Sequence, residues 1–359
     1  MRYFEEGDVS DDPITGPIRA VEPSLLTPPT PIDTNFTAAE PDTPIWQQLL
    51  NTPAAKELGL HRRAKPLARH RWRKTLNTMS GATVAVGGST SEPIDLTYVD
   101  RINRHRGGAK CVAVLSLKGG VGKTTTTIGL GATFASWRGD RVVAVDANPD
   151  FGTLAQRGPN ETPSTVRDLL ADEQIDRYSD IRRHTSQSSS RLELLASERD
   201  PAVSEAFSES DYRAVHKILD RFYNIILTDC GTGLTHSAMK GVLDTADALV
   251  VVASPAVDSA RSALATLDWL RHHGHAGLAS AATVVVSSAR PGAMPINLDK
   301  LTGYFKSRVR SVVVIPYDDH LAEGGEISLD LIGRRARQAY ISLAASVADA
   351  LGDSDTGLR

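Results

Sequence analysis

Short apolar runs rich in Val and Ile recur through the second two-thirds of the chain, separated by longer stretches in which apolar and polar positions alternate at helical spacing. The apolar runs are CVAVLSL (111–117), RVVAVD (141–146), RLELLA (191–196), NIILTD (224–229), ALVVVAS (248–254), ATVVVSS (282–288) and SVVVIP (311–316). Helix-compatible stretches cover 123–137, 209–222, 258–273 and 296–308, with a last one over roughly 330–351. Strands without polar alternation are buried on both faces, and helices between them supply the cover. The pattern therefore predicts an α/β domain over 109–359, with a doubly wound, mostly parallel sheet.

Upstream of residue 109 the texture differs. Residues 1–50 are rich in Pro and Thr and hold nine acids against two arginines. Such a segment buries too little apolar surface to offset its ordering entropy, so a disordered acidic leader is expected over 1–60. Within it, PIWQQLLN (44–51) places Trp46, Leu49 and Leu50 at helical spacing. It reads equally as a docking segment or as a fortuitous apolar cluster. The charge then reverses: HRRAKPLARHRWRK (61–74) holds seven Lys/Arg and no acid. A tract of this kind with an embedded Trp72 suits an anionic partner, whether nucleic acid, lipid or an acidic surface, and it can equally fold back on the acidic leader. Residues 61–108 as a whole read as this basic segment followed by a flexible Gly/Ser linker.

Bulk properties narrow the setting. A net charge of −3 gives no global pull toward nucleic acid or membrane. Two cysteines, Cys111 and Cys230, cannot build a disulfide framework, which suits a reducing compartment. With no apolar leader and no run of about 18 apolar residues, no integral membrane span and a cytoplasmic protein are expected. The His-rich RHHGHAG (271–277) lacks an accompanying Cys or carboxylate set and reads as a polar helix end rather than a metal site.

The chemistry concentrates after the first apolar run, in LKGGVGKTT. Here glycines let the backbone wrap a phosphate, and the following helix directs N–H groups and a positive dipole end at the anion. Gly119, Gly120, Val121 and Gly122 form the turn. Lys123 is placed to reach the β- and γ-phosphates, Thr124 to ligate Mg²⁺, and Thr125 to continue the cradle. The strict G-x-x-x-x-G-K-[ST] pattern fails, because Leu117 occupies its first position. What fits is K-G-G-x-G-K-[ST], with a second lysine, Lys118, at the start of the turn.

This variant resembles the deviant Walker A motif of the ParA/MinD branch of P-loop ATPases. The resemblance implies Mg²⁺ and ATP as ligands and an ATP-bound homodimer in which Lys118 reaches the partner's phosphates. It makes Asp146, closing VVAVD, the first switch acid beside Mg²⁺. The family's second acid, two residues on, is replaced here by Asn148, whose amide holds water but cannot accept its proton. Asp150 is the available substitute. Slow, partner-stimulated or absent hydrolysis follows. Asp229, closing YNIILTD, matches the Walker B carboxylate and a metal ligand, with Thr232 near the γ-phosphate. Pro316 and Tyr317 match the segment lining the adenine. Ser288 stands where relatives carry an Asn on the adenine edge, and Ala256 where many carry a cross-dimer Glu.

The combination of acidic leader, basic segment, VAVLSLKGGVGKTTTT, VVAVDANPDFGTLA and YNIILTDCGTGLTHSAM further resembles the EspI-type proteins associated with type VII (ESX) secretion. That implies an ATP-gated switch that regulates or positions a secretion apparatus. A DNA-binding partition ATPase, supported by the 61–74 tract, and a non-hydrolysing nucleotide-binding scaffold, motivated by Asn148, are the alternatives.

Overall fold

The computed structural model describes residues 96–104, 107–148, 152–198, 207–290 and 297–355. The acidic leader, the 44–51 patch, the 61–74 tract, the linker to residue 95 and Asp150 lie outside the described residues.

Among the described residues, eight strands form one sheet: β1 (Lys110–Leu115), β2 (Val142–Ala147), β3 (Ser186–Gln187), β4 (Glu193–Leu195), β5 (Ile225–Cys230), β6 (Ala248–Ala253), β7 (Thr283–Ser287) and β8 (Ser311–Ile315). Their spatial order is β3-β4-β2-β5-β1-β6-β7-β8. Every neighbouring pair is parallel except β3 with β4. The seven apolar runs each become a strand. All residues of β1, β2, β5, β6 and β7 are buried, as continuous runs covered on both faces must be.

Alternation along the strands divides the core in two. Cys111, Ala113 and Leu115 face a cluster completed by α3 (Val166–Ala171), α4 (Tyr178–Arg182), α5 (Glu209–Leu219), α6 (Ser237–Thr245), α7 (Val257–His272) and α8 (Ala276–Ser280), with α9 (Leu298–Lys306) at its end. Val112 and Val114 face the other layer, built from α1 (Leu96–Asn103), α2 (Lys123–Trp137) and α11 (Arg334–Asp355). A short α10 (Asp319–Ala322) follows β8. No helix among the described residues is long and apolar enough to cross a membrane.

Helix α1 corrects the expectation of a linker extending to residue 108. Ile102 is fully buried against the α2/α11 layer. Arg101 donates two hydrogen bonds, of 3.0 and 2.7 Å, to Oδ2 of Asp349 on α11. The folded unit therefore begins upstream of residue 109, because α1 supplies apolar cover that α11 would otherwise lack.

The parallel order brings the carboxyl ends of β1, β2 and β5 side by side. Asp146 of β2 sits in register with Asp229 of β5, and Asp229 with Val114 of β1. Loops leaving these ends converge, which is where ligands bind in open α/β sheets.

Candidate nucleotide-binding site

The turn 117–122 leaves β1 and enters α2 through Gly122, the N-cap of the helix, at φ +90°. Gly120 has φ +75°. Both lie in the left-handed region that side chains oppose, which is why glycine stands at these two positions. Gly122 is constrained a second time, since a Cβ there would come within 3.1 Å of the Ser287 Oγ at the end of β7.

Ten of the fifteen residues of α2 are buried, including Thr126, Thr127 and Thr133. Their hydroxyls reach carbonyls one turn back, at Gly122 (2.8 Å), Lys123 (3.1 Å) and Gly129 (2.7 Å). Threonines are tolerated inside this helix because these bonds leave no hydroxyl unsatisfied.

Asp229 is the hub of the site, at 1% exposure. The Lys123 ammonium donates to its Oδ1 at 2.7 Å, and the Thr124 hydroxyl donates to Oδ2 at 2.6 Å. The Thr127 hydroxyl lies 3.2 Å from Oδ1. Burial pulls the Lys123 pKa down, but the charge and hydrogen bond of Asp229 more than offset this and hold the group above the ordinary lysine value. Asp146, also 1% exposed, accepts from the backbone N–H of Asn148 at 3.1 Å and that of Leu154 at 3.0 Å. Burial first, and the neighbouring Asp229 charge second, push its carboxyl well above the usual carboxylate range.

Two buried carboxylates beside a threonine hydroxyl form an oxygen donor set suited to a hard divalent cation. Their mutual repulsion, visible in the raised Asp146, is what such a cation would relieve. Asp229, bonded to Thr124, and Asp146, its register partner on the next strand, thus supply oxygen donors of the kind Mg²⁺ takes, and the glycine turn at a helix N-terminus fits a phosphate chain.

Lys118 points elsewhere. Its ammonium pairs with Asp258 at the start of α7, where both side chains are solvent-accessible. That hydrogen bond first, then the Ser259 backbone N–H, holds the Asp258 carboxyl below its ordinary range. Pro316 and Tyr317 leave the carboxyl end of β8, and the Ser288 N–H donates to the Ile315 carbonyl at 3.0 Å. The Ser288 hydroxyl is buried with no hydrogen-bond partner among the described residues. Facing the glycine turn is Ser287, the neighbour that sequence reasoning did not name.

Sequence reasoning also missed Thr153, whose hydroxyl lies 3.3 Å from that of Thr124, and Arg157, which donates to the Thr125 hydroxyl at 2.5 Å. Away from the site, the His-rich stretch forms the end of α7, where the His273 ring stacks on Trp269 at 4.0 Å between centroids.

Residues 112–329 match the family described as the CobQ/CobB/MinD/ParA nucleotide binding domain. The chain is 36% identical over 342 residues to the ESX-1 secretion-associated protein EspI of Mycobacterium tuberculosis, an alignment taking in 92% of this chain and 51% of that protein. It thus spans about half the length of the curated relatives it matches. Two solved structures share the fold at 23% identity. The cell division ATPase MinD of Pyrococcus furiosus gives a TM-score of 0.54, covering 67% of this chain and 99% of that one. The septum site-determining protein MinD of Pyrococcus horikoshii, solved with Mg-ADP, gives 0.53, covering 66% and 94%.

Proposed function

We propose, since this chain belongs to the CobQ/CobB/MinD/ParA family of nucleotide-binding domains, that it is a Mg·ATP-gated switch whose two copies associate when ATP is held. Its output, on this reading, is the regulation or positioning of a type VII secretion system, as the likeness to the secretion-associated EspI suggests. The observation that carries the proposal is the convergence of Lys123 and Thr124 on Asp229 behind a glycine turn, with Lys118 left at the accessible mouth.

The residues divide the work. Backbone N–H groups of Gly119–Lys123 and the α2 dipole hold the phosphates. Lys123 would exchange Asp229 for phosphate oxygens, and the carboxylates of Asp229 and Asp146 with the Thr124 hydroxyl would hold the metal ion. Mg²⁺, when bound, neutralises phosphate charge and polarises the transferring phosphoryl group. Pro316 and Tyr317 line the base, with Ser288 at its edge. Lys118, released from Asp258, is the cation available to the second protomer's phosphates.

Light scattering with Mg·ATP, Mg·ADP and no nucleotide tests the switch. A dimer in Mg·ATP alone, lost in Lys118→Ala while ATP binding persists, is the expected result. Association that survives Lys118→Ala would remove its cross-dimer role.

Hydrolysis hinges on Asn148, which orients water but cannot take its proton. Asn148→Asp is expected to raise single-turnover phosphate release by about a hundredfold, the low side of a positioned general base. An unchanged rate would shift that role to Asp150 or to the segment after Asp229. Phosphate release undetectable in both forms would favour a scaffold that binds nucleotide without turning it over.

A further inference from the structure

Arg157 is a cation that the nucleotide reading does not use. It closes the 3-10 turn Ala155–Arg157, just past the loop whose Leu154 N–H caps Asp146. One guanidinium nitrogen, Nη2, donates to the Thr125 hydroxyl at 2.5 Å and to the Leu321 carbonyl at 3.2 Å. The other, Nη1, donates to the Gly325 carbonyl at 3.3 Å. The Arg157 carbonyl in turn accepts from the Ile327 N–H at 2.9 Å. Between these contacts the chain passes through Gly324 at φ +75°, where a Cβ would lie 3.7 Å from Nη1.

Three segments distant in sequence therefore share one side chain. Thr125 belongs to the helix entered from the phosphate turn. Arg157 follows the loop around Asp146. Leu321–Gly325 follows directly on Pro316 and Tyr317. The guanidinium is largely withdrawn from water, and this burial lowers its pKa from the ordinary arginine value. A buried cation costs free energy unless its donors are satisfied, and here they are spent on neutral acceptors rather than on a carboxylate. Only a planar fork can serve a hydroxyl and two carbonyls from different segments at once; an ammonium is a point charge without fixed directions.

We propose that Arg157 is a positioning residue that pins the base-side loop to the phosphate-side helix and so sets how much the base contributes to nucleotide binding. This rests on the nucleotide-binding reading above. Phosphate contacts come from the turn itself and need no help from Arg157. Base contacts come from a loop after an edge strand. Asp318 and His320 tie that loop to itself, through the Leu321, Gly333 and Ser328 N–H groups. The Arg157 side chain ties it to the phosphate-side helix, and a loop free to shift against that helix gives up binding energy to settle. With the clamp in place that ordering is already done. Without it, a nucleoside triphosphate is held little better than a bare triphosphate.

The test is calorimetric titration of wild type, Arg157→Met and Arg157→Lys with Mg·ATP, Mg·GTP and Mg·tripolyphosphate, each variant checked by thermal melting. In Arg157→Met, ATP affinity is expected to fall about tenfold, the scale of lost hydrogen bonds to a charged group, and tripolyphosphate affinity by no more than about twofold. ATP and GTP affinities, where they differ in the wild type, should converge in the variant. Arg157→Lys should recover part of the ATP affinity, and it reads the same ratio should Arg157→Met fail to fold. Equal losses for ATP and tripolyphosphate, or no loss for either, would overturn the role of Arg157 while leaving the nucleotide site standing. Wild-type protein that binds none of the three ligands would overturn the nucleotide reading itself, and this proposal with it.

Discussion

Lys123→Ala is expected to weaken ATP binding by at least about a hundredfold, because it removes the cation that, among the described residues, directly contacts Asp229 behind the phosphate turn. The loss should also appear without ligand. Lys123 and Asp229 are 10% and 1% exposed, so truncating the lysine leaves a buried carboxylate supported, among the described residues, by threonine hydroxyls. Breaking such a pair costs about 3–5 kcal/mol, unless the orphaned group takes up a proton. That escape route fixes the sign of the pH dependence. In the wild type, Asp229 already helps to push the neighbouring Asp146 upward. Without Lys123, whose charge lowers Asp146 in the wild type, Asp146 holds its proton in the folded state over a wider range of pH values at which the unfolded chain has released it. A folded state holding more protons loses stability as pH rises and regains it as pH falls toward the ordinary carboxylate range. The melting gap between variant and wild type should thus be narrower at about pH 5.5 than at about pH 7.5, both above the unfolded carboxylate values. A gap that widens on acidification would show that Lys123 is not the counter-charge of this pair.

Much of this arrangement was legible in the sequence because the physics that produces it is local. Strands buried on both faces read as unbroken Val/Ile runs, and all seven runs named from sequence are strands. The glycine turn is legible because φ values of +75° and +90° leave few alternatives to glycine at 120 and 122. What escaped depends on partners far away in the chain. Helix α1 has eight residues and is held in place by its packing against α11. Strand β3 is two residues long with no apolar signal; it pairs with β4, and Gln187 donates its N–H to the Glu161 carboxylate. Arg157 looks like any surface arginine until Thr125, Leu321 and Gly325 are brought around it. The serines at the end of β7 show the limit in another form. Strand side chains alternate between faces, so a one-residue step decides which hydroxyl meets Gly122, and it is that of Ser287 rather than Ser288. The place of Asp258 beside Lys118 has the same origin: α7 begins at the end of β6, and the sheet order sets that end beside β1.

Gly129→Ala should be among the most destabilising single-atom additions the fold can suffer, although helix propensity argues the opposite. In mid-helix, Ala is favoured over Gly by about 1 kcal/mol. Gly129 sits in the middle of α2, however, and a Cβ there would overlap the ring of Tyr340 on α11. Tyr340 is 1% exposed among apolar neighbours of α2 and α11, and its hydroxyl donates to the Thr125 carbonyl at 3.3 Å. The ring has nowhere to turn, so the two helices must separate. Overpacking of this kind costs about 1–3 kcal/mol, and here the upper end is expected because the obstacle is an aromatic ring. For a domain of this size that corresponds to a fall in Tm of roughly 5–10 °C. Gly131→Ala provides the control, since its Cβ would meet Leu192 Cδ1 at 2.9 Å, the movable end of an aliphatic side chain, and should cost less. Tyr340→Leu should cost stability alone, yet recover part of the loss when combined with Gly129→Ala, because it removes the atoms in conflict. Strict additivity in that double-mutant cycle, or a Gly129→Ala protein that melts at or above wild type, would refute the clash as the cause. ATP affinity should fall in parallel, since the Tyr340 hydroxyl is bonded to the backbone of Thr125, next to Thr124, and a displaced α11 loosens the phosphate turn from behind.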